Sequence, residues 1–356
     1  MKINHNNYLQ LAYNQARINL GKTSNNPCVG CIVVKNNSVI SSGITSLQGR
    51  PHAEFNALKK DSNFENSNLY VTMEPCTHHG LTPPCTSLII KKGIKKVYYS
   101  FIDIDKRTSN KAKKILKKSN IQVYKKNIKE INDFYKSYLL VHTKDIPYID
   151  AKIAISNDYF TINKKKKWIT NHLSRARAHL LRSEYDLILS TSKSINADNS
   201  LLNCRIKGLD NNKPDLFIVD LKLKLKMNLK VFKHSNKRKI YLLTSKRNIK
   251  KLQLFKQKKL KIIFIESLTK KKDFIKLFKI IKKCGYNRIF IESGLMFLNT
   301  LLKYKFIYNL YVFKSQKKLS NTGYNNISNK IIKKIKLKNL INVNLNDDKL
   351  YKVRIK

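Results

Sequence analysis

The chain has 356 residues, 42% of them hydrophobic, and its 73 Lys and Arg against 22 Asp and Glu give a formal net charge of +51. That length suits two domains of ordinary size, and the lack of an export leader or of any run of about 18 apolar residues predicts a cytoplasmic chain with no membrane partner. The charge alone would suit nucleic acid, but the lysines are spread along the whole chain among abundant Asn and Ile, as an A- and T-rich coding sequence produces, so no nucleic-acid partner is expected and the positive field serves to draw in a small anionic substrate.

Residues 8–20 place Leu9, Leu11, Ala12, Ala16 and Leu20 at helical spacing, with Gly21 as the stop. Residues 29–34 and 38–42 read as a hairpin turning on Asn36 and Asn37. A helix is expected over 52–60. Strands at 69–72 and 96–100 bracket another helix at 85–92, whose opening turn suits Pro83 and Pro84 and whose end suits Gly93. A lysine-rich helix at 111–118, a strand at 121–124 and helix-like residues 128–141 complete a sheet with helices on both faces. The helices at 52–60 and 85–92 would enter from the same edge of that sheet, which brings their N-termini together.

At that meeting point lies the chemistry. His52-Ala53-Glu54 is followed by Pro75-Cys76 and then by Cys85, the His-x-Glu and Pro-Cys pattern of a zinc deaminase. One imidazole and two thiolates, from His52, Cys76 and Cys85, can hold one Zn²⁺ with a fourth position open for water, whose pKa the metal lowers toward neutrality. Glu54 is then the proton shuttle, carrying a proton from that water to the departing amine. Singly, a His and two Cys are ordinary core or surface residues; jointly, in this order, they are not. Eight residues separate Cys76 from Cys85, where many deaminases of nucleosides and nucleic acids have two, and this argues against a nucleic-acid deaminase. The other cysteines, Cys28, Cys31, Cys204 and Cys284, suggest no disulfide framework.

A boundary falls near Asp145, because Pro147 forces extended geometry on the residue before it. The expected domains are 1–145, carrying the zinc site, and 146–356. In the latter, strands at 148–156, 186–189, 216–219, 240–243, 262–265 and 288–291 alternate with helical stretches, as in an α/β domain. The lysine runs 164–167 and 270–272 read as solvated loops. Residues 289–300 form a buried strand that passes through Gly294 into a helix, a geometry that suits an anion. No G-x-G-x-x-G is present, so a standard dinucleotide fingerprint is lacking.

The loop Cys76-Thr77-His78-His79-Gly80-Leu81-Thr82-Pro83-Pro84-Cys85, with Asn26-Pro27-Cys28-Val29-Gly30 upstream, resembles the bifunctional riboflavin biosynthesis family. That family joins a diaminohydroxyphosphoribosylaminopyrimidine deaminase to a 5-amino-6-(5-phosphoribosylamino)uracil reductase. The resemblance is strong over 8–88 and patchy beyond 145, where Pro147 to Ser156, Trp168-Ile169-Thr170, Arg182, Ala197-Asp198, Leu202, Arg205 and Ile291 to Gly294 match. It implies a cytidine-deaminase-like α/β/α domain followed by a dihydrofolate-reductase-like α/β domain that uses NADPH. It further implies Asn26 as a pyrimidine contact; Ala154, Trp168, Ser194, Asp198 and Gly294 near the nucleotide; and Lys166, Arg182, Leu202, Arg205 and Glu292 near a phosphorylated pyrimidine substrate. Guanidinium forks at Arg182 and Arg205 suit a phosphate.

The chain departs from the family pattern in places. Thr45 stands where many relatives have His, and Leu81 where the loop commonly has Arg or Lys, which turns attention to Arg50 or Lys106 for the phosphate in the first domain. In the second, Asp158-Tyr159 replaces Asp-Gly, Asp198-Asn199-Ser200 replaces Asp-Asp-Pro, Lys166 replaces a substrate-contacting Ser, and Val219-Asp220-Leu221 replaces Val-Ile-Asp-Ser. The alternatives to two working activities are a deaminase whose divergent reductase half is weak or inactive, or a nucleic-acid deaminase. Homo-oligomerisation is compatible with all of this.

Overall fold

The protein is described by a computed structural model that covers residues 4–59, 62–209 and 214–356. It divides into two compact units, Met1–Lys144 and Asp145–Lys356.

The first unit opens with α1 (His5–Ala16), three residues earlier than its apolar spacing suggests, because the Asn4 side chain caps it by accepting from the Asn6 amide. β1 (Gly30–Lys35) and β2 (Ser38–Ile44) form the hairpin. Its two turn residues, Asn36 and Asn37, have φ of 49° and 65°, the left-handed pair that matches the twist of the strands. Next come α2 (Ala53–Leu58), β3 (Asn68–Met73), α3 (Cys85–Lys91), β4 (Lys96–Phe101), α4 (Ala112–Lys118), β5 (Gln122–Lys125) and α5 (Lys129–Thr143). Lys60, at the end of the helix expected over 52–60, lies outside the described residues. The five strands run β2-β1-β3-β4-β5, and β3, β4 and β5 are parallel. Two glycines let helices lie directly on this sheet. A Cβ on Gly30 would sit 1.9 Å from the Ala12 carbonyl oxygen of α1, and one on Gly43 would sit 2.3 Å from that of Ala53 in α2.

The second unit contains β6 (Tyr148–Ile155), β7 (Ile162–Asn163), α6 (His172–Arg182), β8 (Leu187–Thr191), α7 (Ser192–Asp198), β9 (Asp215–Val219), β10 (Ile240–Thr244), α8 (Ile249–Gln257), β11 (Leu260–Phe264) and α9 (Lys271–Lys283). β12 (Arg288–Glu292), α10 (Leu295–Lys303), β13 (Asn309–Lys314), β14 (Gly323–Tyr324), α11 (Lys330–Lys334) and β15 (Lys349–Arg354) follow. Eight strands order as β11-β10-β9-β8-β12-β6-β13-β15, and β7 pairs with β14 separately. All neighbours in the large sheet are parallel except β13 and β15. Residues alternate between its two faces: Ile149, Ala151, Ile153 and Ile155 of β6 join one core, while Ala154 packs on the other with Ile188, Leu216 and Ile218. The chain leaves β6 toward β8, returns as β12 between them, and crosses to β13. The carboxyl ends of β6, β12 and β8 therefore meet where the direction of winding changes, the place where open α/β sheets bind ligands.

Two expectations change. Lys271 and Lys272 open α9 rather than lie in a loop, since Asp273 accepts from the Thr269 and Lys270 amides and the Ser267 hydroxyl and so fixes the first turn. β13 and β15 also complete the sheet beyond the strands anticipated from sequence. The run Lys164 to Lys167 is exposed between β7 and α6. Among the described residues no helix is long and apolar enough to cross a membrane.

Candidate active sites

In the first unit the elements converge on three sulfur and nitrogen donors. Cys76 follows β3, Cys85 is the first residue of α3, and His52 is the N-cap of α2. Their ligand atoms all lie within 4.8 Å of one another. His52 Nδ1 is 3.6 Å from Cys76 Sγ and 3.5 Å from Cys85 Sγ, and the Cys85 amide donates to Cys76 Sγ at 3.2 Å. Hydrogen bonding from Cys85 above all, then from His52, brings the Cys76 thiol down to about 4, while the same contact and burial push the Cys85 thiol up. The donor set of one imidazole and two thiolates fits zinc and leaves a fourth position open.

Glu54, in the first turn of α2, is 4% exposed, and burial followed by the nearby Cys76 charge pushes its carboxyl up to about 7. A carboxyl poised there can both accept and return a proton near neutral pH. Glu74, at the end of β3, is buried and accepts backbone N–H groups from Asp103 at 3.3 Å, Asn110 at 3.0 Å and Ala112 at 3.1 Å. It thereby pins the segment whose Thr108 hydroxyl meets the Thr77 amide at 3.3 Å and His78 Nδ1 at 3.1 Å, which props the loop between the two cysteines.

Asn26 donates from Nδ2 to the Gly49 carbonyl at 2.9 Å. Gly49 has φ +90°, and a Cβ there would lie 2.7 Å from that amide nitrogen, so the pairing requires glycine. Thr45 is buried and its hydroxyl accepts from the Val29 amide at 2.9 Å. Leu81 is 88% exposed. Arg50 reaches the same loop, donating from Nη1 to Thr82 Oγ1 at 2.9 Å, whereas Lys106 is exposed. Tyr135 of α5 donates to the Cys28 carbonyl at 2.9 Å and lies 2.6 Å from Thr72 Oγ1, which accepts from the Gly30 amide.

In the second unit Ala154, Ser194, Glu292 and Gly294 lie at or just beyond the carboxyl ends of β6, β8 and β12, while Lys166 and Trp168 lie on the segment between β7 and α6. Ala154 is near the end of β6, and Ser194 in α7 bonds through its hydroxyl to the Gly294 amide at 2.9 Å and to Thr191 Oγ1 at 3.1 Å. This contact joins the start of α7 to the start of α10, and a helix N-terminus favours an anion. Asp198 ends α7, and Asn199 after it takes the left-handed cap at φ 46°. Trp168 is half exposed between the Arg175 guanidinium and the Lys167 ammonium, 4.9 Å and 5.0 Å from its ring. Lys166 is exposed nearby in sequence, its amide held by Asn163 Oδ1 at 3.2 Å. Tyr159, where the family pattern has Gly, adopts φ +65°, and its carbonyl is held by the side-chain amides of Asn325 and Asn329.

Arg182 meets Glu292 through two parallel hydrogen bonds, Nε to Oε1 and Nη2 to Oε2, the latter 2.9 Å, and donates from Nη1 to the Asn203 carbonyl at 3.1 Å. The two side chains are only 11% and 8% exposed. Arg205 donates to Asn203 Oδ1 at 2.8 Å and to His179 Nε2 at 2.9 Å. Leu202 is buried with φ +47°, and its carbonyl accepts from Arg238 at 2.6 Å. Three residues of this cluster, His179, Asn203 and Lys152, are not foreseen in the sequence. His179 could have been found from its place three residues before Arg182, on the same helix face. Lys152 could have been found as the one cation of β6; loss of hydration holds it below the usual lysine range while Glu292 pulls it back up.

The family model for the cytidine and deoxycytidylate deaminase zinc-binding region matches residues 2–101, and the model for the RibD C-terminal domain matches residues 147–314. The chain is 31% identical over 318 residues to riboflavin biosynthesis protein RibD of Aquifex aeolicus, covering 87% of this chain and 86% of that one. It is 33% identical over 331 residues to the RibD of Buchnera aphidicola, covering 88% and 87%. Its fold is that of Acinetobacter baumannii RibD, with a TM-score of 0.80 at 22% identity over 98% of both chains. A diaminohydroxyphosphoribosylaminopyrimidine deaminase/5-amino-6-(5-phosphoribosylamino)uracil reductase of Thermotoga maritima aligns equally well, with a TM-score of 0.80 at 24% identity over 98% of both.

Proposed function

From the premise that this chain belongs to the RibD family of riboflavin biosynthesis proteins, deaminase and reductase in one polypeptide, we propose which of its residues carry each step. Zinc and NADPH are the cofactors, and the substrates are small phosphorylated pyrimidines. The observation that carries the reading is the buried His52, Cys76 and Cys85 cluster with Glu54 two residues beyond the histidine.

His52, Cys76 and Cys85 hold zinc in unit 1, taken as the deaminase domain 1–145. Zinc, when bound there, supplies a Lewis acid that makes water nucleophilic at neutral pH. Glu54 takes the proton from that water as its oxygen adds to the amine-bearing ring carbon, then hands the proton to the departing nitrogen, so that the C–N bond breaks and ammonia leaves. Asn26, fixed by Gly49, presents its side chain to the pyrimidine. Arg50 meets the phosphate, since it is the cation tethered to the loop in which Leu81 offers no charge.

In unit 2, taken as the reductase domain 146–356, the nucleotide is assigned to Ala154, Trp168, Ser194, Asp198 and Gly294. NADPH supplies the hydride that opens the ribosyl ring at C1 to ribityl. Lys152, with its proton loosened by burial, is the source of the proton that the ring oxygen requires on opening. Arg205 takes the substrate phosphate, with Lys166 and Leu202 beside it. Arg182 keeps Glu292 ionised and in place rather than gripping the phosphate itself. Abundant NADPH and reduced thiols both suit a cytoplasmic setting.

A coupled assay tests the whole. Ammonia should appear from the diaminopyrimidine phosphate without NADPH, and NADPH should be oxidised only after that step or when the deaminated compound is supplied. NADPH oxidation with the undeaminated substrate at the same rate would overturn the order.

A further inference from the structure

We infer that His179 is a positioning residue for the reductase step, its ring orienting the Arg205 guanidinium toward the substrate's phosphate. The inference rests on the assignment of Arg205 to that phosphate. His179 lies on α6 one turn before Arg182, and its Nδ1 is 2.7 Å from the Asn203 carbonyl oxygen. A carbonyl only accepts, so the ring proton is on Nδ1 and the lone pair is on Nε2. That lone pair receives Arg205 Nη2 at 2.9 Å, while Arg205 Nη1 donates to Asn203 Oδ1 at 2.8 Å. Two acceptors on one edge fix the plane of a guanidinium that is otherwise an exposed, rotamer-rich side chain. The other N–H groups of the fork are left for an anion.

The same Asn203 carbonyl also accepts from Arg182, so both arginines hang on one loop residue and His179 is the piece between them. Burial, then the charges of Arg182 and Arg205, push His179 down to about 4, with Glu292 opposing, so the ring stays a neutral acceptor at working pH. A histidine placed only to fill space would need no defined tautomer and would contact neither the fork nor the carbonyl.

The test compares His179→Leu, which keeps bulk but removes both hydrogen-bonding atoms, with His179→Gln, whose amide can donate to Asn203 and accept from Arg205. Reductase kinetics are measured in the full-length protein at saturating NADPH with 5-amino-6-(5-phosphoribosylamino)uracil and with its dephosphorylated analogue. Freeing one such side chain should raise KM for the phosphorylated substrate roughly two- to ten-fold, with kcat changed less than about two-fold, no effect on the analogue, and most of the loss recovered by His179→Gln. Adding His179→Leu to Arg205→Ala should raise KM no further than Arg205→Ala alone. Full additivity, or equal losses on both substrates, overturns the inference. If Arg205→Ala raises KM and His179→Leu does not, only the inference falls. If Arg205→Ala itself leaves KM unchanged, the phosphate assignment falls and takes the inference with it.

Discussion

Replacing Glu292 by Gln should destabilise the second unit more than any loss of a surface charge could. The Arg182 and Glu292 side chains are 11% and 8% exposed, and Lys152 and Arg205 add positive charge to the same region. Removing one partner of a buried pair leaves the other uncompensated, at a cost of about 3 to 5 kcal/mol. For a unit of this size that corresponds to a fall in midpoint of roughly 6 to 20 °C. Trp168, the only tryptophan in the chain, lies in this unit, so its fluorescence follows that transition alone. The double replacement Arg182→Met with Glu292→Leu should regain most of the stability but not the reductase activity, because it removes both charges without leaving either unpaired. Acid should erase the difference. Burial by itself would raise the Glu292 carboxyl, but Arg182 more than offsets this and holds it below the usual glutamate value. Its contribution is therefore complete above the unfolded value of about 4.3 and lost as pH falls through the lower folded value, so wild type and Glu292→Gln should converge as the pH is taken below that range. A gap at neutral pH smaller than about 1 kcal/mol, the range of a solvated pair, would refute the reasoning.

Cys76→Ser or Cys85→Ser should lose zinc and ammonia release together, whereas Glu54→Gln should keep stoichiometric zinc by metal analysis and lose turnover by about a hundred-fold or more. Near-normal ammonia release by Glu54→Gln would remove it from the proton path. Arg50→Ala should raise the deaminase KM roughly ten-fold or more, as loss of a charged hydrogen bond implies, and an unchanged KM would return the role to Lys106. A fragment of residues 1–145 should deaminate alone, but one ending at residue 127 should not, because Tyr135 of α5 holds the Cys28 carbonyl and Thr72 beside the metal loops. Equal activity of the two fragments would show that this tether is dispensable.

The metal site is legible in the sequence because its ligands are chemically rare in combination and lie at helix and strand ends that punctuation residues mark: Pro83 and Pro84 before α3, Gly93 after it. The Asn36-Asn37 hairpin is legible for the same reason, since few residue pairs tolerate two positive φ angles. The edge of the large sheet is not. β15 reads Lys-Leu-Tyr-Lys-Val-Arg, with Leu350 its one buried residue, and only its partner β13 makes it a strand. The side of the second site built from His179, Asn203 and Lys152 is likewise hidden. Each is an ordinary residue whose role depends on which strand ends the winding of the sheet brings together. Arg182 illustrates the limit: its residue type suggests a phosphate clamp, but only the fold reveals that Glu292 occupies its fork.

The placement of β6 bears on how the polypeptide matures. It is the first strand of its sheet to be synthesised, yet its hydrogen-bonded neighbours on both sides start only at Arg288 and Asn309. Closing such long loops is slow, because the entropy is lost before the pairing contacts reward it. Until the later strands emerge, Ile149, Ala151, Ile153 and Ile155 have no sheet to join and expose an aggregation-prone apolar edge. The metal-binding unit has no such delay, as β1, β2 and β3 pair among close neighbours in the chain. Nascent chains stalled before Arg288 should thus already bind zinc while remaining clients of chaperones through their unfinished half.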